Sequence, residues 1–209
     1  HPETVVDLAC GTGSLSVRLA AQGYRVYGVD LSEEMLTQAA EKAMQMENPP
    51  YFVCQDMCKL ELPEPVDWIV CMLDSVNYIL DPADCAGMMR HVAECLKPGG
   101  MFIFDINTPE KLRALDGQVF LDETEDGYCV WRTEFDEQAR ICYYGVDLFE
   151  RRGEVWVRSF EEHQQYAYTP AELEQALRAA GFTAIHAYAD GQMIPPRQQE
   201  QRIYFTAKD

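Results

Sequence analysis

Basic residues are scarce in this chain. Its 209 residues carry 17 Lys and Arg against 35 Asp and Glu, a formal charge of −18. The deficit is spread along the chain: residues 1–107 hold six basic and sixteen acidic side chains, residues 108–209 eleven and nineteen. Such a surface repels nucleic-acid phosphates and anionic lipid, and Arg151-Arg152 is the only adjacent basic pair. Histidine is scarcer, with His1, His91, His163 and His186 far apart. The eight cysteines form no C-x-x-C pair, which argues against a zinc site, and no metal is expected. No apolar run approaches the roughly 20 residues of a membrane span. No charged start leads into an apolar stretch as in a signal peptide. Several cysteines lie inside apolar runs, where a free thiol behaves as a small hydrophobe; such thiols point to a reducing, cytoplasmic setting.

What is present reads as an α/β protein. Composition is 47% hydrophobic and 25% charged, ordinary for a globular chain, and the length suits one domain with an elaboration. Apolar β-branched runs alternate with helix-period segments. Strands are expected over 4–9, 24–30, 51–56, 66–73 and 101–107, and helices over 14–22, 34–47 and 82–96. Ser32 caps the second helix, Asp81-Pro82 opens the third, and Lys97-Pro98-Gly99-Gly100 stops it. Alternation of this kind implies right-handed crossovers and a doubly wound, mostly parallel sheet of seven strands. From about 118 to 168 the helical period disappears. VFLDE, YCVWRTEFDE, ARICYYGVDLFE and EVWVRSFEEHQQYAY read as four strands of an inserted antiparallel β-meander. A helix opening at Thr169-Pro170 and strands at 183–189 and 201–208 complete the core. The expected organisation is a core of 1–110 and 169–209 with a β insertion at 118–168. The first strand begins three residues in with no initiator Met, as in a trimmed chain.

Three acidic positions and one glycine turn carry the chemistry. In Val5-Val6-Asp7-Leu8-Ala9-Cys10-Gly11-Thr12-Gly13 a buried strand runs straight into a glycine turn and a helix. Glycines there let the backbone approach a ligand, and the helix start offers free N–H groups. Ser16 stands where a nicotinamide-binding G-x-G-x-x-G would place its third glycine, which disfavours a dehydrogenase. Asp30, ending the second strand, can accept both hydroxyls of a ribose. Gln55-Asp56-Met57, ending the third, offers a carboxylate to an exocyclic amine. All lie at the C-terminal ends of adjacent parallel strands, where open α/β sheets bind ligands.

These segments resemble a class I S-adenosylmethionine-dependent methyltransferase. VVDLACGTGSLSVRLA is similar to the first motif of that superfamily, with Ala9 in place of its first glycine. VYGVDLSEEML, FVCQDM, DWIVCMLDSVNYIL and CLKPGGMFIFDINT are similar to its later ones. The resemblance implies S-adenosyl-L-methionine as cofactor and S-adenosyl-L-homocysteine as product. It implies that Ala9, Cys10, Gly11 and Gly13 line the loop under the methionine moiety, and that Asp7 orients that loop or meets the amino group. Asp30 would hold the ribose and Leu31 the adenine face. Gln55, Asp56 and Met57 would meet the adenine edge, and Leu73 the cofactor's amino-acid end. Met35 could pack beside the adenosine, although its helical spacing favours a place in the core.

Methyl transfer from a sulfonium needs an in-line nucleophile and a base only if that nucleophile arrives protonated. Asp74 is the candidate catalytic residue, orienting an amine or taking its proton. Ser75, Asn77, Tyr78 and Asn107 are the candidate substrate contacts. The 118–168 meander is expected either to cover the pocket or to pair edge to edge in a homodimer. His163 is a base only if that meander folds over the cleft, and is otherwise a surface histidine. The expected reaction is methylation at N or O of a small molecule. The alternatives are an RNA methyltransferase, disfavoured by charge, and a cofactor-binding module without turnover. No membrane partner is expected.

Overall fold

The computed structural model describes residues 2–209. In chain order the elements are β1 (Thr4–Leu8), α1 (Ser14–Ala21), β2 (Arg25–Asp30), α2 (Glu33–Ala43), β3 (Tyr51–Cys54), β4 (Val66–Cys71), α3 (Pro82–Cys95), β5 (Leu96–Asn107) and α4 (Pro109–Ala114). There follow β6 (Val119–Glu123), β7 (Gly127–Asp136), β8 (Ile141–Arg152), β9 (Val155–Tyr166), α5 (Pro170–Ala179), β10 (Ala184–Ala189) and β11 (Arg202–Lys208). Seven strands form one sheet in the order β10-β11-β5-β4-β1-β2-β3, and β6 to β9 form a second, antiparallel sheet of four. Only β11 runs against its neighbours in the first sheet. The expected mostly parallel seven-stranded sheet with a β-meander is therefore what the chain forms.

The strand order explains where the helices go. From β1 the chain moves outward to β2 and β3, and from β4 in the opposite direction to β5. Right-handed crossovers therefore set α1 and α2 on one face and α3 on the other. Between those layers Val5, Val6 and Leu8 of β1 are wholly buried. Phe102 and Phe104 of β5 stack at 4.8 Å, and Phe104 on Phe205 of β11 at 4.9 Å. This aromatic row shares one cluster with Met88, Met89 and Val92 of α3 and Leu173 and Leu177 of α5. The helices after α1 begin on side-chain caps: Ser32 for α2, Asp81 for α3, Thr108 for α4 and a Thr169–Glu172 capping box for α5.

Several boundaries differ from expectation; α2, for one, stops at Ala43 rather than at Glu47. β3 stops at Cys54 because Asp56 accepts from Cys58 N (2.9 Å) and winds Met57–Lys59 into a short 3-10 turn. β4 stops at Cys71 because the backbone turns left-handed at Leu73 and Asp74. β5 starts at Leu96, five residues early: Gly100 lies so close to the Asp67 carbonyl that a Cβ would sit 3.0 Å away, so only glycine lets the strands meet there. Helix α4 is an addition, although Thr108-Pro109 carries the same cap-plus-proline signal as Thr169-Pro170.

The second sheet is tied to the first by side chains rather than by strand pairing. Leu112 of α4, Phe135 of β7, Cys142 of β8 and Ala167 form a small buried cluster at the junction. Among the described residues no helix is long and apolar enough to cross a membrane.

Candidate active site

The turn after β1 alternates into the left-handed region, with φ 57° at Ala9, 55° at Gly11 and 70° at Gly13. Gly13 has no room for a side chain. A Cβ there would stand 2.7 Å from Ala39 Cβ and 3.0 Å from the Phe52 ring. Helix α1 starts on Gly13 with no side-chain cap, so its first N–H groups point out of the turn. Asp30 closes the turn from the next strand: Gly11 N donates to Oδ2 (2.7 Å) and Ser32 N to Oδ1 (2.9 Å). Cys10, in the same turn, has its thiol pushed up to about 12 by burial and by Asp7 and Asp30, so it stays protonated.

Asp7 lies beneath this turn, almost fully buried, and accepts from Ser16 Oγ at 2.6 Å. Burial is the main cause that raises its carboxyl to about 6, against the hydrogen bond from Ser16. A carboxyl whose pKa is raised on folding is tolerated best when protonated. Its cost is absent below pH 3.8 and grows to its full value as pH rises through about 6. Asp7→Asn is therefore expected to stabilise the protein by about 1–3 kcal/mol at pH 7.5. The gain should vanish at pH 4, and thermal melts at the two pH values check it.

Around the turn, Leu31 is 70% exposed and Met35 45%. Met35 does not belong to the core. Leu36, Ala39 and Ala43 form the buried face of α2, while Met35 leans over the turn, its sulfur 3.7 Å from where a Gly11 Cβ would be. At the end of β3, Asp56 and Gln55 both have local bonds, to Cys58 N and Glu61 N (3.0 Å). Met57 is the first residue of the 3-10 turn that Asp56 caps.

The end of β4 is held by a network that the sequence did not reveal. Leu73 and Asp74 are consecutive non-glycine residues with φ of 61° and 53°. Such conformations cost of order 1–3 kcal/mol each and persist only when neighbours enforce them. Asp105 of β5 is that neighbour: its wholly buried carboxylate accepts from Leu73 N (2.6 Å) and Asp74 N (3.1 Å). Arg202, at the start of β11, pairs with Asp105 and with Asp74 Oδ1 (2.6 Å). Gln165 of β9 donates to Asp74 Oδ2 at 2.5 Å. Each Asp74 oxygen thus accepts one bond, and the carboxylate named as the candidate base also ties this junction together. Asn77 does not line the cleft. It is wholly buried, its amide donating to the carbonyls of Asn107 and Tyr166 (3.0 Å each) and its oxygen accepting from Asn107 N (2.9 Å). Ser75 Oγ donates to Met72 O (2.8 Å) and serves the turn. Asn107 bridges Gln165 (3.0 Å) and Lys111 (2.7 Å).

Beside this junction opens a cleft of about 730 Å³ between the core and the inner face of the second sheet. Asp74, Tyr78, Asn107 and Lys111 line it from the core. Phe120, Asp122, Trp131, Tyr144, Glu161, His163 and Gln165 line it from the insertion. Tyr78 is half-exposed there and meets the His163 ring edge-on at 6.1 Å. Residues of the meander thus line one wall of the cleft.

Comparison with known proteins agrees with this arrangement. A methyltransferase-domain family profile matches residues 5–100. YqeM of Bacillus subtilis (strain 168), provisionally named as a methyltransferase, is 32% identical over 206 residues, covering 98% of this chain and 83% of that protein. The crystal structure of an S-adenosylmethionine-dependent methyltransferase from Clostridium acetobutylicum superposes with a TM-score of 0.91 at 32% identity, over 98% of this chain and 83% of that one. A sugar N-methyltransferase from Streptoalloteichus shares the fold at 20% identity, with a TM-score of 0.80 over all of this chain and 81% of its own. The glycine turn, the acidic strand ends and these relatives together make the chain a member of the class I S-adenosylmethionine-dependent methyltransferases.

Proposed function

We propose that the enzyme moves the methyl group of S-adenosylmethionine to a nitrogen or oxygen of a small molecule held in the cleft. The observation that carries this reading is the position of the cleft: it opens at Asp74, in the left-handed turn that follows β4, and the insertion forms its opposite wall. The residues present suit the cofactor. The Gly11 and Gly13 positions leave bare backbone, and each Asp30 oxygen spends one bond on a backbone N–H, leaving acceptor capacity for ribose hydroxyls. Leu31 and Met35 supply exposed apolar surface for the adenine, with Gln55, Asp56 and Met57 at its edge. Ala9, Cys10 and Leu73 border the methionine end, and Asp7 orients the turn. When bound, the cofactor supplies a methyl carbon activated by its sulfonium. The protein's part is to hold the acceptor in line and exclude competing water.

The insertion then acts as the substrate-side wall. The sugar N-methyltransferase with the same fold is compatible with a small acceptor. So is the acidic surface, which disfavours RNA. The test is incubation with S-adenosylmethionine carrying a labelled methyl group and cell extract separated into small-molecule and RNA fractions. Label is expected in the small-molecule fraction; label confined to RNA would overturn the reading. The cofactor site is tested separately. Asp30→Ala should weaken S-adenosylhomocysteine binding by about 1–3 kcal/mol, the value of a hydrogen bond to a charged group. Calorimetry on both proteins checks it, and an unchanged affinity would remove Asp30 from the site.

A further inference from the structure

We propose that His163, backed by Glu161, takes the proton from the methyl acceptor, and that this acceptor is an amine on an apolar body. The inference rests on the reading that the cleft holds the acceptor.

The geometry removes the other candidates first. Asp74 has both oxygens bonded, one to Arg202 and one to Gln165. Asp105 is wholly buried behind it. Lys111 is spent on Asn107 Oδ1 (2.7 Å), and burial, followed by the charge of Arg202, lowers its pKa. His163 is different. Alternate residues of a strand share a face, so His163 projects from the same face of β9 as Gln165 and Glu161. The Gln165–Asp74 bond anchors that strand beside the turn after β4, which sets His163 one pleat away from that contact. Its Nε2 lies 3.3 Å from Glu161 Oε2. A carboxylate there favours the proton on Nε2 and leaves the lone pair on Nδ1. The groups facing the imidazole are Glu161 on its own strand, Tyr144 opposite it on β8, and Tyr78 on the turn after β4. Asp122 and Lys111 complete the cleft's charges.

Charge then selects the acceptor. Glu161 and Asp122 face the cleft with no Lys or Arg partner among the described residues, and Tyr78, Phe120 and Trp131 supply ring faces. An apolar cation suits such a wall. An alkylamine reaches the enzyme as an ammonium, which has no lone pair to offer. Loss of one N–H proton to His163 Nδ1 leaves the electron pair on nitrogen. That pair forms the new N–C bond as the C–S bond breaks, and the sulfur keeps its electrons as a neutral thioether. His163, whose side chain is 40% exposed, returns its proton to solvent.

The test uses the full chain and three probes of matched size: phenethylamine, 2-phenylethanol and 3-phenylpropanoate. NMR follows the imidazole signals and the Trp131 indole, with His91 and His186 as internal references. Phenethylammonium is expected to move the His163 and Trp131 signals, and phenylpropanoate neither. Phenethylammonium affinity should fall about tenfold in His163→Ala, the worth of a hydrogen bond from a charged group, while S-adenosylhomocysteine affinity stays constant, showing an intact fold. Trp131 moving with His163 still, or a phenethylammonium affinity that His163→Ala leaves unchanged, overturns the proposal. No cleft signal moving with any probe, while S-adenosylhomocysteine still binds, overturns the acceptor site itself.

Discussion

Arg202→Ala should lower the melting temperature by about 6–20 °C. Among the described residues the guanidinium is the only cation paired with Asp105, whose side chain is 1% exposed, and it also holds Asp74. Removing one partner of a buried pair leaves an uncompensated charge and costs about 3–5 kcal/mol, and each kcal/mol is worth roughly 2–4 °C in a chain of this size. The loss has a second consequence. Asp105 holds the left-handed Leu73–Asp74 backbone by accepting both of its N–H groups. An Asp105 that protonates to relieve its isolation gives up acceptor strength there, and the strained turn relaxes. S-adenosylhomocysteine affinity should therefore fall together with stability. Calorimetric binding and melting on the same preparation test this coupling. Arg202→Lys, which keeps a charge but not two parallel donors, should recover part of the stability and little of the affinity. A melting point within 2 °C of the parent for Arg202→Ala would mean that the network is solvated and does not hold the turn, since that shift corresponds to only about 1 kcal/mol.

Gly13→Ala is the second large effect. The new Cβ must displace Ala39 on α2 or the Phe52 ring on β3, which it would approach to 2.7 and 3.0 Å. It must also adopt φ near 70°. Overpacking costs about 1–3 kcal/mol and the left-handed conformation roughly another 1–2, so the melting point should drop by about 5–15 °C. Because the strain sits at the first turn of α1, S-adenosylhomocysteine binding should weaken at least tenfold. Gly23→Ala is the control. Its φ is 93°, but nothing lies within 4 Å of its Cβ position, so it should show the conformational cost alone. Ala39→Gly in the Gly13→Ala background should restore part of the loss. If the two alanine variants melt together, contact with α2 and β3 is not what demands glycine at position 13.

The parts of the site that were legible in the sequence are the parts built locally. Glycine spacing, a strand that ends on an acid and a capped helix all lie within a few residues of each other, so their pattern survives without coordinates. The junction at Asp74 was legible only in its first member. Its partners lie 31, 91 and 128 residues away, at Asp105, Gln165 and Arg202, and no periodicity links positions so distant. One trace was present. Asp105 interrupts an otherwise apolar buried strand, and a charge there demands a partner. Met35 shows the opposite limit. Helical spacing groups it with Leu36 and Ala39, yet the rotation of α2 leaves it over the glycine turn. Asn77 and Tyr78 are adjacent and equally polar at the ring tip and amide, and only packing decides that one faces the core and the other the cleft.

The position of β11 between β5 and β10 sets a timetable for the growing chain. Asp74 and Asp105 leave the ribosome 128 and 97 residues before Arg202. At about 5–20 residues per second that is an interval of roughly 5–25 seconds. Throughout it Asp105 has no counter-charge and must stay hydrated, so the edge of β5 stays open to water. β10 cannot close that edge, because its place is one strand further out. The sheet half made of β1 to β4 can form early, carrying the glycine turn and Asp30, but the Leu73–Asp74 turn sets only when Arg202 arrives. A nascent chain can therefore hold a cofactor-shaped surface well before it can act on a substrate.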